Sequence, residues 1–162
     1  MNDDATEAGR HMVSEHRLRR RVQFYETDSA GMVHFSCFFR YMEEAEHAMW
    51  REAGLSIAPE GADVGFPRVS AACEYHRPLR FEDEFDVSIR ITAIGDKTIT
   101  YACVVSKGDT RIASGTLTIA CVRKQAGEPM KATSIPQEIA ARFQVAVGAD
   151  LVEARHVELS PA

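Results

Sequence analysis

One short segment of the chain holds residue types that could act on an acyl carbonyl. Asp28 lies in a turn-prone loop at the end of an apolar strand, and Gly31 follows just before a segment that predicts a helix. A carboxylate can serve as a nucleophile or as a general base. The unpaired amides of a helix N-terminus can stabilise a developing oxyanion. The segment therefore predicts acyl-transfer chemistry.

These residues also have ordinary structural interpretations. An aspartate before serine and glycine often bonds its own backbone in a turn, so Asp28 could be a turn residue. Gly31 could lack a side chain so that a ligand can approach the backbone, or it could be a simple loop glycine. Tyr25 could contact the acyl group or belong to the core, and His34 could line the site or pack at the helix entry.

The predicted helix carries three further carboxylates. Glu43 and Glu44 are predicted on its solvated flank, whereas Glu46 lies nearer the apolar stripe. A cluster of arginines in the preceding strand could suggest an anionic partner. A solvated strand face or an intersubunit ion pair fits the acidic total better. These arginines are Arg17, Arg19, Arg20 and Arg21.

The elements that position the loop are a strand and a helix. From Arg17 the chain alternates in the period of a strand, with Val22 and Phe24 on the same side. Apolar residues then recur at helical spacing over 37–53. Ser36 is the predicted N-cap and Gly54 the predicted left-handed stop.

After a predicted loop over 55–66, the remaining segments alternate as strands do. The turn sequences Gly95-Asp96 and Lys107-Gly108-Asp109 separate alternating runs, which predicts consecutive antiparallel hairpins. The predicted strands cover 69–75, 85–93, 99–105 and 112–122. A last helix is predicted from Pro136 to about Val147.

This order of elements predicts an α+β fold with one long helix against an antiparallel sheet of five strands, the last four in a meander. A single domain is expected over 14–147, with a flexible tail at 1–13 and a C-terminal tail at 148–162. The 162 residues suit one domain, and 45% hydrophobic with 27% charged residues is an ordinary globular composition.

The totals also exclude several classes of function. A formal charge of −5 gives no reason to expect nucleic acid as a partner. No apolar run approaches the ~20 residues of a membrane helix, and the polar N-terminus lacks the apolar core of a secretory signal, so a cytoplasmic location is expected. The four cysteines form no cluster with metal-ligand spacing, so no metal is predicted.

The stretch YETDSAGMVHFSCFFRYMEEAE, residues 25–46, resembles the signature of the 4-hydroxybenzoyl-CoA thioesterase type of hotdog-fold acyl-CoA thioesterases. The similarity in element order extends over roughly residues 16–125. The resemblance implies a hotdog fold, in which the sheet wraps one long central helix. It also implies hydrolysis of an acyl-CoA to a free acid and CoA, with no cofactor because CoA is part of the substrate.

Matched residue by residue, the resemblance implies roles for four positions. Asp28 falls on the catalytic carboxylate, and the backbone amide of Phe35 falls on the donor that polarises the thioester carbonyl. The backbone of Gly31 is predicted as a further oxyanion donor, and Glu46 is a second candidate catalytic group because another branch of the hotdog fold uses a glutamate in the middle of this helix. Lys97 and Thr98 match positions that contact the CoA phosphates, usually from a neighbouring subunit. A homodimer or homotetramer with the site at a subunit interface is therefore expected.

The chain departs from the family pattern at two places. Gly95 and Asp96 stand where some members have arginines, and His34 lies one residue before the position at which one bacterial branch has a histidine. Two other functions remain open at this point. One is a hotdog enoyl-thioester hydratase or dehydratase, and the other is a non-catalytic module that binds acyl thioesters.

Overall fold

The computed structural model describes residues 11–148, in which one long helix lies on an antiparallel sheet. The α+β class predicted from the sequence is confirmed. The elements are β1 (Glu15–Arg21), a 3₁₀ turn (Phe24–Glu26), α1 (Cys37–Glu52), β2 (Val64–Gly65), β3 (Arg68–Tyr75), β4 (Glu84–Ile94), β5 (Thr98–Lys107), β6 (Thr110–Ala120), β7 (Val122–Arg123), β8 (Lys131–Ala132) and α2 (Gln137–Ala140).

The main sheet has five strands in the order β1-β4-β5-β6-β3, and every neighbouring pair is antiparallel. The prediction of a four-strand meander is wrong in one respect. Only β4, β5 and β6 follow one another across the sheet, while β3 pairs with the far side of β6. Three short strands that the sequence did not predict form a second sheet in the order β2-β7-β8.

Helix α1 covers the predicted segment and buries the predicted stripe. Its buried side chains are Phe38, Tyr41, Met42, Ala45, Glu46, Met49 and Trp50. The opposite flank is open to solvent, because the side chains of Glu43 and Glu44 are 54% and 46% exposed. The sheet therefore supports the helix on one side and does not enclose it.

Gly54 ends α1 as predicted. Its φ of 76° is left-handed, its amide donates to the carbonyl of Arg51, and the amide of Leu55 donates to the carbonyl of Trp50. These two hydrogen bonds form a Schellman motif, which pairs carbonyls that the last turn would otherwise leave unpaired.

Ser36 occupies the N-cap position of α1, as predicted, but the predicted capping bond from its side chain is absent. Its hydroxyl hydrogen-bonds to Nδ1 of His34 at 2.7 Å and makes no capping bond to the first turn. The start of α1 therefore has no side-chain cap from this residue.

Three predictions at the edges of the domain also fail. The last helix covers only Gln137–Ala140, because the chain beyond it leaves the helical path and its amides at Gln144 and Ala146 donate to the carbonyls of Val13 and Ile91. Val13, assigned to the N-terminal tail, is consequently buried. Phe24 is 76% exposed, since the 3₁₀ turn interrupts the strand alternation.

The outer parts of the two predicted tails, 1–10 and 149–162, lie outside the described residues. Across 11–148, no helix has both the length and the apolar composition needed to span a membrane.

Candidate functional site

The loop between β1 and α1 is a tight hairpin closed on itself by Asp28. The amide of Asp28 donates to the carbonyl of Met32 at 2.7 Å, and its Oδ1 accepts from the amides of Ala30 at 2.9 Å and Met32 at 3.3 Å. The turn interpretation is thus correct for Oδ1. Oδ2 has no hydrogen bond to any residue of 11–148, so one carboxylate oxygen is fixed in place and the other is available.

Gly31 is required by the geometry of this hairpin. Its φ is +74°, a conformation that favours glycine, and a Cβ added there would lie 3.7 Å from Nη1 of Arg80. Its amide already donates to the carbonyl of Asp28 at 3.0 Å. Gly31 is therefore not free to act as an oxyanion donor in this loop conformation, contrary to the expectation from sequence.

The amide of Phe35 is a different case. It lies two residues before α1 begins and has no hydrogen-bond acceptor within the described part of the chain. The carbonyl of Phe35, in the following peptide group, accepts from the hydroxyl of Tyr75 at 2.9 Å, which ties the backbone of this residue to the end of β3. An unpaired amide beside a helix N-terminus can donate to negative charge that develops on a ligand.

Glu26 anchors the base of the hairpin, a role that sequence reasoning missed. Its buried carboxylate accepts from the amide of Gln23 at 2.9 Å, from the hydroxyl of Tyr41 at 2.9 Å and from Nη1 of Arg20 at 2.8 Å. Its carbonyl accepts from the amide of His34 across the hairpin at 2.9 Å. The sequence signal that could have identified Glu26 was its position two residues before Asp28.

These contacts determine the charge of the anchor. Burial alone would raise the pKa of Glu26, but the hydrogen bonds from Gln23, Arg20 and Tyr41 hold it below its usual range. The guanidinium of Arg20 also lies over the ring of Tyr41, 4.6 Å from its centroid. The loop is thus tied to β1 and α1 through an ionised carboxylate.

Tyr25 and His34 both lie at the surface beside this hairpin. Tyr25 is 79% exposed, so its interpretation as a core residue is wrong. His34 is exposed, and its ring lies 4.5 Å from the ring of Phe35 at an interplanar angle of 31°. Its Nδ1 is paired with Ser36, as described above, so His34 lies at the entry to α1 in contact with Phe35 and Ser36 while its side chain stays exposed.

Lys97 and Thr98 lie at the far end of the sheet from Asp28. The Asp28 hairpin follows the end of β1 that pairs with Glu84, whereas Lys97 follows the other end of β4. Strand β4 has 11 residues, which corresponds to about 33 Å at ~3.3 Å per residue. A single chain therefore does not bring Lys97 and Asp28 together.

Glu46 is turned into the core and away from the hairpin. Its side chain is fully buried, and its Oε2 lies 2.6 Å from Nη2 of Arg68. Burial raises the pKa of Glu46, although Arg68 opposes this effect. Among the described residues, no three histidine, cysteine, aspartate or glutamate side chains come together as a potential metal site.

Comparisons with known proteins identify the family to which the chain is similar. The family model of the thioesterase-like superfamily matches residues 22–143. A putative esterase of Aquifex aeolicus is 39% identical over 123 residues, which cover 75% of this chain and 91% of that protein. The acyl-CoA thioester hydrolase YbgC of Escherichia coli is 25% identical, covering 76% of this chain and 92% of that protein.

The fold agrees as well. A solved structure of a gentisyl-coenzyme A thioesterase superposes with a TM-score of 0.71 at 27% identity, covering 79% of this chain and 99% of that one. The two chains thus share the hotdog fold, with an antiparallel sheet and one main helix.

Proposed function

The chain belongs to the thioesterase-like superfamily, and we propose from this that it hydrolyses acyl-CoA thioesters to a free acid and CoA. One observation carries the proposal to particular residues. The hairpin presents a carboxylate oxygen of Asp28, and the amide of Phe35 follows it directly before α1, each without a hydrogen-bond partner in residues 11–148. Thioester hydrolysis needs these two kinds of group, a nucleophile or base and an oxyanion donor.

Asp28 can act by either of two routes. In the first, Oδ2 attacks the thioester carbon, CoA leaves as its thiolate, and water then cleaves the mixed anhydride. In the second, Oδ2 takes a proton from a water molecule that attacks the same carbon, the C–S bond breaks, and CoA leaves as its thiol once the proton is returned. In both routes the Phe35 amide donates to the carbonyl oxygen as it becomes negative, and the amides on Oδ1 hold the carboxylate still.

A second copy of the chain would complete the site. The two edges of the main sheet differ in charge: four arginines mark β1, whereas residues 70–73 of β3 are uncharged. Charged edge strands resist pairing, so β3 is the better edge for a subunit contact. We propose a homodimer or homotetramer in which Lys97 and Thr98 of one subunit contact the CoA phosphates held by another.

Asp28→Asn tests the proposal. Asparagine keeps an acceptor for the loop amides but removes the nucleophilic charge, so kcat for thiol release from a panel of acyl-CoA esters should fall about 100-fold or more. The matched control is Asp109→Asn in the exposed β5–β6 turn, which should leave the rate unchanged. Full activity in Asp28→Asn would contradict the proposal. With a trans-2-enoyl-CoA as the substrate, loss of the enoyl absorbance without thiol release would indicate hydration instead of hydrolysis.

A further inference from the structure

The peptide group that joins His34 to Phe35 carries the free amide, and the chain on both sides of it is anchored. On the N-terminal side, the amide of His34 donates to the carbonyl of Glu26 at 2.9 Å. The carbonyl of His34 itself accepts from the amide of Cys37 at 2.9 Å. On the C-terminal side, the carbonyl of Phe35 accepts from the hydroxyl of Tyr75. The free amide therefore lies between an anchor on the hairpin and an anchor on β3.

The hydroxyl of Tyr75 is the main restraint on Phe35 itself. Within residues 11–148 it is the one hydrogen-bond partner of the Phe35 backbone. The Phe35 side chain is 63% exposed, and the neighbouring ring of His34 is exposed as well. The hydroxyl of Ser36 bonds to His34 and does not cap the helix. Without the tyrosine hydroxyl, the backbone of Phe35 would have no hydrogen bond to hold it on the side that leads into α1.

Tyr75 is held on a rigid support. It pairs with Ala113 in the ladder between β3 and β6, and the amide of the next residue, His76, donates to the carbonyl of Ile112 at 2.8 Å. Its ring packs edge-on against the buried ring of Phe38, with the centroids 5.2 Å apart and an interplanar angle of 83°. Burial raises the pKa of Tyr75 to about 12, so its hydroxyl keeps its proton at neutral pH. The donor at this end of β3 is therefore both fixed in place and protonated.

We propose that Tyr75 is a positioning residue for the oxyanion donor: its hydroxyl fixes the backbone of Phe35 and so sets the direction of the free amide. This inference rests on the proposed thioesterase function and adds a residue of β3 to the organisation of that site. An oxyanion donor is effective when it is already directed at the oxygen on which charge develops. A tyrosine hydroxyl has one proton to donate. Tyr75 uses it on the carbonyl of Phe35, so it acts through Phe35 and not on the substrate.

Tyr75→Phe tests this inference, because it removes the hydroxyl and keeps the ring against Phe38. The substrate is the ester of the acyl-CoA panel that the native protein hydrolyses fastest. Loss of a whole oxyanion donor lowers kcat about 100- to 1,000-fold, and a donor that is present but loosely held should lose part of this, so kcat should fall about 10-fold. KM should stay within about twofold of the native value, because the donor acts on charge that develops in the transition state.

Ser114→Ala is the matched control. The Ser114 hydroxyl makes a 3.0 Å hydrogen bond to Nε2 of His76, the residue after Tyr75 at the same end of β3. The variant therefore removes a neighbouring hydrogen bond without touching Phe35, and its kcat should stay at the native value. A native kcat in Tyr75→Phe, or an equal loss of kcat in Ser114→Ala, would overturn the inference.

A measurement without substrate separates this inference from the proposed function. The ¹⁵N relaxation order parameter of the Phe35 amide should be about 0.85 in the native protein, as in rigid backbone, and should fall below about 0.6 in Tyr75→Phe. If the native protein releases no thiol from any ester, the proposed function fails, and this loss of order is still required. An order parameter that stays near the native value in Tyr75→Phe would reject the positioning role, even if kcat falls.

Discussion

Replacing Glu26 with glutamine should destabilise the fold through the base of the hairpin. The side-chain oxygen of the new glutamine can accept either from Arg20 or from the Gln23 amide and the Tyr41 hydroxyl. Its side-chain NH₂ group then faces the donors that remain. At least one charge-assisted hydrogen bond is lost, worth about 1.5–3 kcal/mol, in a carboxylate that is only 6% exposed. Arg20 keeps its second partner, Glu44. We therefore expect the free energy of unfolding to fall by about 2–3 kcal/mol.

Urea denaturation followed by the fluorescence of Trp50 measures this loss, because Trp50 is the one tryptophan of the chain and is fully buried. Glu44→Gln is the control. It makes the same chemical change against the same guanidinium, at 2.7 Å, but on a side chain that is 46% exposed. A surface pair of this kind contributes about 0–1 kcal/mol. If Glu26→Gln lowers the free energy of unfolding no more than Glu44→Gln does, then burial does not strengthen the Glu26 hydrogen bonds. That result would refute the reasoning.

Three further outcomes are expected. The pKa of Glu26 is lowered in the folded state, so the stability that its carboxylate contributes is present above the unfolded pKa and is lost as pH falls through the folded pKa. The difference in the free energy of unfolding between the native protein and Glu26→Gln should therefore shrink in acid. Gly115→Ala should lower the free energy of unfolding by about 1–3 kcal/mol, because the new Cβ would lie 2.6 Å from Met42 Cε and 2.7 Å from the Ala72 carbonyl oxygen; an unchanged midpoint in urea would contradict this. Burial raises the pKa of Cys103 to about 12, so this thiol should react with a thiol reagent at pH 8 only after unfolding, which mass mapping of the labelled peptides would show.

The local elements could be predicted from the sequence because each depends on residues close together in the chain. The apolar spacing of α1 and the glycine that ends it need no information from the rest of the molecule. The same holds for Asp28, whose turn chemistry is visible in its neighbours. The β5–β6 hairpin follows from a two-residue turn, in which Gly108 has a φ of 57°.

The features that were missed depend on partners distant in sequence. The position of β3 beside β6 is set by pairing across the sheet, which strand patterns alone do not specify. The carboxylate of Glu26 finds Tyr41 only after α1 folds back over β1. Likewise, the unavailability of the Gly31 amide and the use of the Ser36 hydroxyl by His34 are outcomes of one loop conformation, not of residue type.

The extra residue in β3 has a consequence for how relatives of this chain would diverge. The register of β3 with β6 shifts between Arg68 and Ser70, so Val69 is the extra residue of a β-bulge. Without Val69, Arg68 would lie six positions before Tyr75, and strict alternation would keep both side chains on the face of β3 that is turned toward α1. A relative that lacks this residue would therefore retain the arginine opposite Glu46 in a regular strand, and the deletion would change the sheet edge without changing the interior.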